Sequence, residues 1–111
     1  MLARLDLPGG VTIEPVPPNA SASCVVSYHG LLQKSGASQV FAKVGYGDNW
    51  HNSKEYEMRW VGDAFEAQFK VDSADTMHIC FRDGMNNWDN NNGQNWTAPV
   101  NSEWIALAYR Y

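Results

Sequence analysis

The chain has 111 residues, 44% hydrophobic and 18% charged, with a formal net charge of −4. That is the composition of one globular domain, and it excludes a disordered segment. Eight Lys and Arg against twelve Asp and Glu leave no basic footprint for a nucleic-acid backbone. No stretch is long and apolar enough to cross a membrane. Met1–Leu7 has no h-region, so the expected setting is cytoplasmic, or secreted if the chain is an excised module.

Pro8-Gly9-Gly10 opens the domain, and Val11–Ile13 reads as a short strand ended by Pro15, Pro17 and Pro18. Ala22, Cys24, Val26 and Tyr28 alternate with Ser23, Val25 and Ser27, the pattern of a strand with one buried face. His29 to Gly36 is expected to be a turn or loop. Val40–Val44 is the next strand, and Gly45–Asn49 is turn chemistry leading into Trp50. Tyr56–Val61 reads as one strand, closed by Gly62-Asp63. Phe65, Ala67, Phe69 and Val71 alternate with Glu66, Gln68 and Lys70, the clearest period of two in the chain. After an Asp72–Asp75 turn, Met77, Ile79 and Phe81 alternate with His78, Cys80 and Arg82. Trp104–Tyr111 is expected to be the last strand. No amphipathic helix and no internal repeat is visible. Short strands at regular spacing, separated by turns, predict an all-β antiparallel sandwich forming one domain over residues 1–111.

Cys24 and Cys80 are separated as in an immunoglobulin inter-sheet disulfide. The rest of that signature is missing, because His78 and not Tyr lies two residues before Cys80. Two reduced, structural thiols are expected.

Before the last strand runs Trp88-Asp89-Asn90-Asn91-Asn92-Gly93-Gln94-Asn95-Trp96, and six of the eleven residues from Asn86 to Trp96 are Asn. Each amide has donors and an acceptor that need partners, and burying one unpaired costs about 1–3 kcal/mol. The segment therefore satisfies its amides locally or presents them to a polar ligand. Flat rings beside amides and a carboxylate suit a sugar, whose C–H face covers a ring while its hydroxyls bond the polar groups. Five Trp exceed what a core of this size needs. Trp50 and Trp88 lie in hydrophilic turns and are expected to be exposed. Trp60 and Trp104 lie in strands and are expected in the core or half-buried. Trp96 is expected to pin the loop.

Catalytic and metal signatures are missing. Placing Gly93 at the sixth position of a calcium loop puts Trp88 first and Pro99 twelfth, so the register fails. His29, His51 and His78 have no ligand spacing, although His51 follows Trp50 and can reach a bound molecule. No nucleophile elbow, phosphate loop or HExxH occurs. Asp48 and Asp89 read as turn residues and not as an acid pair. The reading is a binding protein with no catalytic residue, metal or cofactor.

The segments Val40–Trp50, Phe81-Arg82-Asp83-Gly84 and Asn86–Trp96 together resemble the starch-binding modules of families 25 and 53. The resemblance implies a noncatalytic, immunoglobulin-like β-sandwich that binds α-1,4-linked glucans. It also implies attachment to, or association with, an amylolytic or glucan-synthesising enzyme. It maps the paired Trp of the sugar platform onto Trp50 and Trp88. A strand His of that family falls on Ala42 or Lys43, neither of which is His, so Lys43 is the expected replacement donor. Asn87, Asp89 and His51 complete the expected contacts. The competing reading is a protein-interaction domain of a glycogen- or starch-metabolising complex.

Overall fold

The computed structural model describes residues 3–101. Two antiparallel sheets pack face to face. The first has the order β1-β2-β3-β7-β6, and the second β10-β8-β4-β5, with β9 also paired to β8. The strands are β1 Leu5–Leu7, β2 Val11–Glu14, β3 Ser23–Tyr28, β4 Val40–Tyr46, β5 His51–Glu57, β6 Arg59–Val61, β7 Ala64–Lys70, β8 Met77–Asp83, β9 Trp88–Asp89 and β10 Trp96–Ala98. The order β2-β3-β7-β6 against β10-β8-β4 is the A-B-E-D against G-F-C arrangement of immunoglobulin-type sandwiches. The expected all-β sandwich is what the chain forms. The strand expected at Trp104–Tyr111 lies outside the described residues.

Alternation decides which side chains meet. Cys24, Val26 and Tyr28 of β3 and Phe65, Ala67 and Phe69 of β7 face Ala42, Val44 and Tyr46 of β4 and Met77, Ile79 and Phe81 of β8. All are buried, and no charged side chain is buried with them. Tyr28 stacks on Phe81 at 4.2 Å between ring centroids, and Tyr56 on Phe69 at 4.6 Å. Burial pushes the Cys24 thiol up to about 12.

The cysteines lie on the strands an immunoglobulin disulfide would join, but Cys80 is out of phase. Ile79 and Phe81 take the inward positions of β8, so Cys80 points to the opposite face, and both thiols are free. A one-residue offset on a strand moves a side chain from one face of the sheet to the other.

Short elements differ from the sequence reading: β1, β9 and β10 are strands it did not expect. Residues 31–34 form a short helix, α1 (Leu31–Lys34), which buries Leu32 and bridges the sheets between β3 and β4. One turn is too short to print a helical period. Tyr56–Val61 is not one strand. The chain leaves the second sheet at Glu57, and Met58, 4% exposed, donates its N–H to Val40 O at 2.9 Å. The next three residues then join the first sheet as β6. Hydrophobic pattern cannot separate two strands that meet at a buried residue. Trp60, expected in the core or half-buried, therefore lies on an edge strand and is 51% exposed.

Among the described residues Trp96 is the buried Trp. It is 3% exposed, meets Phe81 edge-on at 5.3 Å and donates its indole N–H to Pro8 O at 2.7 Å. Trp96→Ala should cost ~3–5 kcal/mol of stability in urea denaturation. Trp60→Ala should cost ~1 kcal/mol or less, because it loses mainly one edge contact with Phe65.

Candidate functional site

The outer face of the second sheet gathers most of the expected site residues. Its side chains form three rows across the strands. The first holds Thr97, His78 and Gly45, the second Cys80, Lys43 and Glu55, and the third Trp88, Arg82, Phe41 and Glu57. Trp50 caps the first row and Trp88 ends the third. The first and third rows lie four residues apart along β8, from His78 to Arg82, so ~13 Å separates them.

Trp50 is set by the turn before it. The β4–β5 pairing shifts register between Val44 and Tyr46. Gly47 N donates to Thr76 O at 2.8 Å, and Trp50 N closes the turn on Gly47 O at 3.1 Å. Trp50 has φ 53° and folds its ring back over Gly45. A Cβ on Gly45 would sit 2.5 Å from Trp50 Cε3, so only glycine leaves room for the ring. A bulky residue at positive φ is strained, and it persists only where the surroundings over-determine it.

Trp88 is set by the hairpin after β8. Asp83 Oδ1 accepts the N–H groups of Met85 at 2.9 Å and Asn87 at 2.8 Å, and Oδ2 accepts the Asn87 side-chain amide at 2.9 Å. These bonds, the Asn87 side chain first, hold the Asp83 carboxyl below its usual range. Beside them Trp88, 44% exposed, pairs with Arg82 and is turned outward.

Between the rings the charges cancel locally. Arg82 Nε and Nη2 each donate to the Glu55 carboxylate at 2.7 Å, with the guanidinium 4.2 Å above the Phe41 ring. This pair lowers the Glu55 pKa, chiefly through the hydrogen bond. Lys43 reaches Trp88, with Nζ 5.7 Å from the ring centroid, a cation over an aromatic face. Cys80 lies opposite Lys43, and burial raises its pKa. A face of two rings, one ammonium and an internally neutralised ion pair suits a neutral polyhydroxyl ligand better than a phosphate.

Lys43, Trp50 and Trp88 come together on this face, and Asn87 adjoins it. Asp89 and His51 are turned elsewhere. Asp89, next to Trp88, points into the sandwich, where Oδ2 accepts the Tyr28 hydroxyl at 2.6 Å. Tyr28 Oη in turn accepts Leu32 N–H at 2.9 Å. Burial and then the Asp89 bond raise the Tyr28 pKa. His51 pairs in register with the inward Tyr46, and its Nε2 lies 2.8 Å from Asp75 Oδ2.

The Asn run mostly satisfies itself. Asn91, Asn92 and Asn95 all have φ between 55° and 58°, a region asparagine tolerates better than other non-glycine residues. Asn90 Oδ1 accepts Gly93 N–H at 2.9 Å, Asn91 Nδ2 donates to Asn95 O at 3.1 Å, and Asn95 N donates to Asn90 O at 2.7 Å. Of the two possibilities left open by the sequence, local satisfaction dominates.

His78 was read from sequence as an ordinary strand residue. Its ring lies 5.6 Å from that of Trp50, and its Nε2 is buried with no hydrogen-bond partner. Nothing in the local sequence marks it, because only the fold-back over Gly45 brings the two rings together. Among the described residues no three His, Cys, Asp or Glu side chains gather as a metal site.

Of the two rings expected to be exposed, Trp88 is, whereas Trp50 is half-buried because its ring folds back over Gly45; the open face that carries them is the candidate site. The model of a starch/carbohydrate-binding module, family 53, matches residues 24–81, more than half of the chain, and the chain belongs to that family. The match takes in Lys43, Trp50 and His51 and ends at Phe81, before the hairpin that carries Trp88. No curated protein and no solved structure matches the chain. A module of this family is a noncatalytic domain type that binds starch or other carbohydrate.

Two outcomes test how the site is held. Tyr28→Phe leaves the Asp89 carboxylate and Leu32 N–H short of a partner, and should cost ~1–3 kcal/mol in urea denaturation. Asp89→Asn keeps an acceptor oxygen and should cost less.

The second outcome concerns acid. Asp83 and Glu55 have depressed pKa values. Their contribution is present above the unfolded carboxylate range of ~4 and is lost as pH falls through the folded values. The Trp88 indole and hairpin amide resonances should therefore shift on acidification below about pH 4. In Asp83→Asn the hairpin part of that shift should vanish.

Proposed function

We propose that this module binds α-1,4-linked glucans, including starch, glycogen and maltooligosaccharides, without cleaving them. The observation that carries this reading is the pair Trp50 and Trp88 on one open face, each presented by its own built turn. Glucose rings stack their C–H faces on the two indoles. Lys43 and Asn87 stand at the edge of the platform to meet hydroxyls. Asp89 acts through Tyr28 to hold β9, and hence Trp88, in place. His51 acts through Asp75 at the foot of the Trp50 turn. The face is shallow, so sugars enter and leave along a chain, and the natural context is attachment to an enzyme that makes or degrades the same glucan.

A single open site of this kind should bind in the micromolar to millimolar range, about −8 to −4 kcal/mol. Trp50→Ala and Trp88→Ala should each weaken maltoheptaose binding by roughly thirtyfold, or ~2 kcal/mol, at a melting temperature near wild type. Calorimetry and retention on granular starch check this. Equal retention on cellulose would overturn the α-glucan assignment. Release of reducing sugar by clean protein, abolished in Asp89→Asn, would overturn the noncatalytic one.

A further inference from the structure

Trp60 takes no part in the face described above, yet half of its surface is open to solvent. It leans edge-on against Phe65 at 5.1 Å, an interplanar angle of 72°. Between that pair and the loop after α1 lies a hollow of about 340 Å³, completed by Gln33, Gly36, Ala37 and Ser38. That is within the range of small-ligand sites, ~300–1,000 Å³. The lining is one aromatic face with an amide and a hydroxyl close by, the same mixture that the Trp50–Trp88 face offers.

The hollow shares part of its rim with a depression that reaches Trp88. Gly36 and Ala37 also border a second depression of about 520 Å³, which runs past Leu31 and Met85 to Asn87 and Trp88. The loop between the two is Ser35-Gly36-Ala37-Ser38. Its side chains are small, and a Cβ added at Gly36 would meet nothing within 4 Å. The loop is thus a low ledge around the end of the sandwich, with an exposed Trp on either side of it.

The chemistry of the surroundings favours a sugar over a peptide as occupant. The Trp60 strand is an edge, but it has three residues only, begins with Arg59 and ends on the Gly62-Asp63 turn. Short, charged edges discourage added strands. The large apolar side chains exposed along the path are Trp60 in the first hollow and Leu31, Met85 and Trp88 in the second. They are interleaved with Gln33, Ser35 and Asn87, unlike the apolar centre of a protein interface.

We infer that Trp60 forms a second contact for an α-glucan already held at Trp50 and Trp88. Only chains long enough to pass over the Gly36–Ala37 ledge engage it. This rests on the glucan reading of the first face and adds to it a dependence on chain length.

The experiment compares maltotriose with short-chain amylose by calorimetry, on wild type, Trp60→Ala and Trp60→Tyr, with sedimentation of each. Wild type should bind amylose more tightly than maltotriose. Trp60→Ala should lose roughly tenfold in amylose affinity and nothing in maltotriose affinity. Trp60→Tyr keeps a stacking ring and should restore most of the loss. Amylose affinity unchanged in a folded Trp60→Ala protein would overturn the inference and leave the first face standing. So would a wild-type dimer that Trp60→Ala converts to monomer at unchanged amylose affinity, which would make this a self-association surface. Binding of neither sugar by wild type would overturn the Trp50–Trp88 reading itself, and the extension with it.

Discussion

One hydrogen bond, from the buried Tyr28 hydroxyl to Asp89, ties the core to the binding face. Tyr28 ends β3 in the first sheet, fully buried, with its ring stacked on Phe81 of the second. Its hydroxyl is therefore delivered to a fixed point beneath β9. There it accepts the α1 backbone at Leu32 and donates to Asp89. β9 has two residues, too few to hold a strand by pairing alone. With Asp89 anchored inward, alternation turns Trp88 outward. Position and direction of the exposed Trp88 ring thus follow in part from a side chain on the opposite sheet.

The other ring depends on backbone geometry. Trp50 occupies a conformation that tryptophan ordinarily avoids, and it does so over a glycine that no other residue can replace without collision. The Asn-rich loop uses the same device several times. Its amides close turns on themselves, and asparagine is chosen there for its tolerance of positive φ. The amide density that first suggested sugar recognition is mostly loop construction. What remains for the proposed recognition is smaller and better defined: two indoles, Lys43, and the Asn87 hairpin.

The fold was largely legible because β3 and β7 bury one face each. Period two names the inward residues of 24–28, 65–71 and 77–81, although Ala22, expected with them, lies before β3 and is exposed. The failures share a cause, which is that contacts between sheets leave no local mark. Met58 lies between two strands of different sheets, so Tyr56–Val61 looked like one strand and Trp60, on the second of them, is at an edge. Asp89 looked like part of the ligand face, yet its partner is sixty-one residues away. His78 looked ordinary, although its buried Nε2 and its contact with Trp50 place it in the site.

Rigid construction of a shallow face has a thermodynamic consequence. Both rings are fixed before ligand arrives, by Gly45 and the turn on one side and by Asp83 and Tyr28 on the other. Little ordering cost then falls on the protein when sugar binds. Yet an open face buries only one side of each glucose and leaves most hydroxyls in water, so the gain per ring is small too. Weak, fast contacts with a repeating polymer are useful when they are multiplied, because a second contact on the same chain acts at high effective concentration. A module built this way gains more from additional weak contacts along the glucan than from tightening the first one. That favours spreading exposed aromatics around the end of the sandwich over deepening a single pocket.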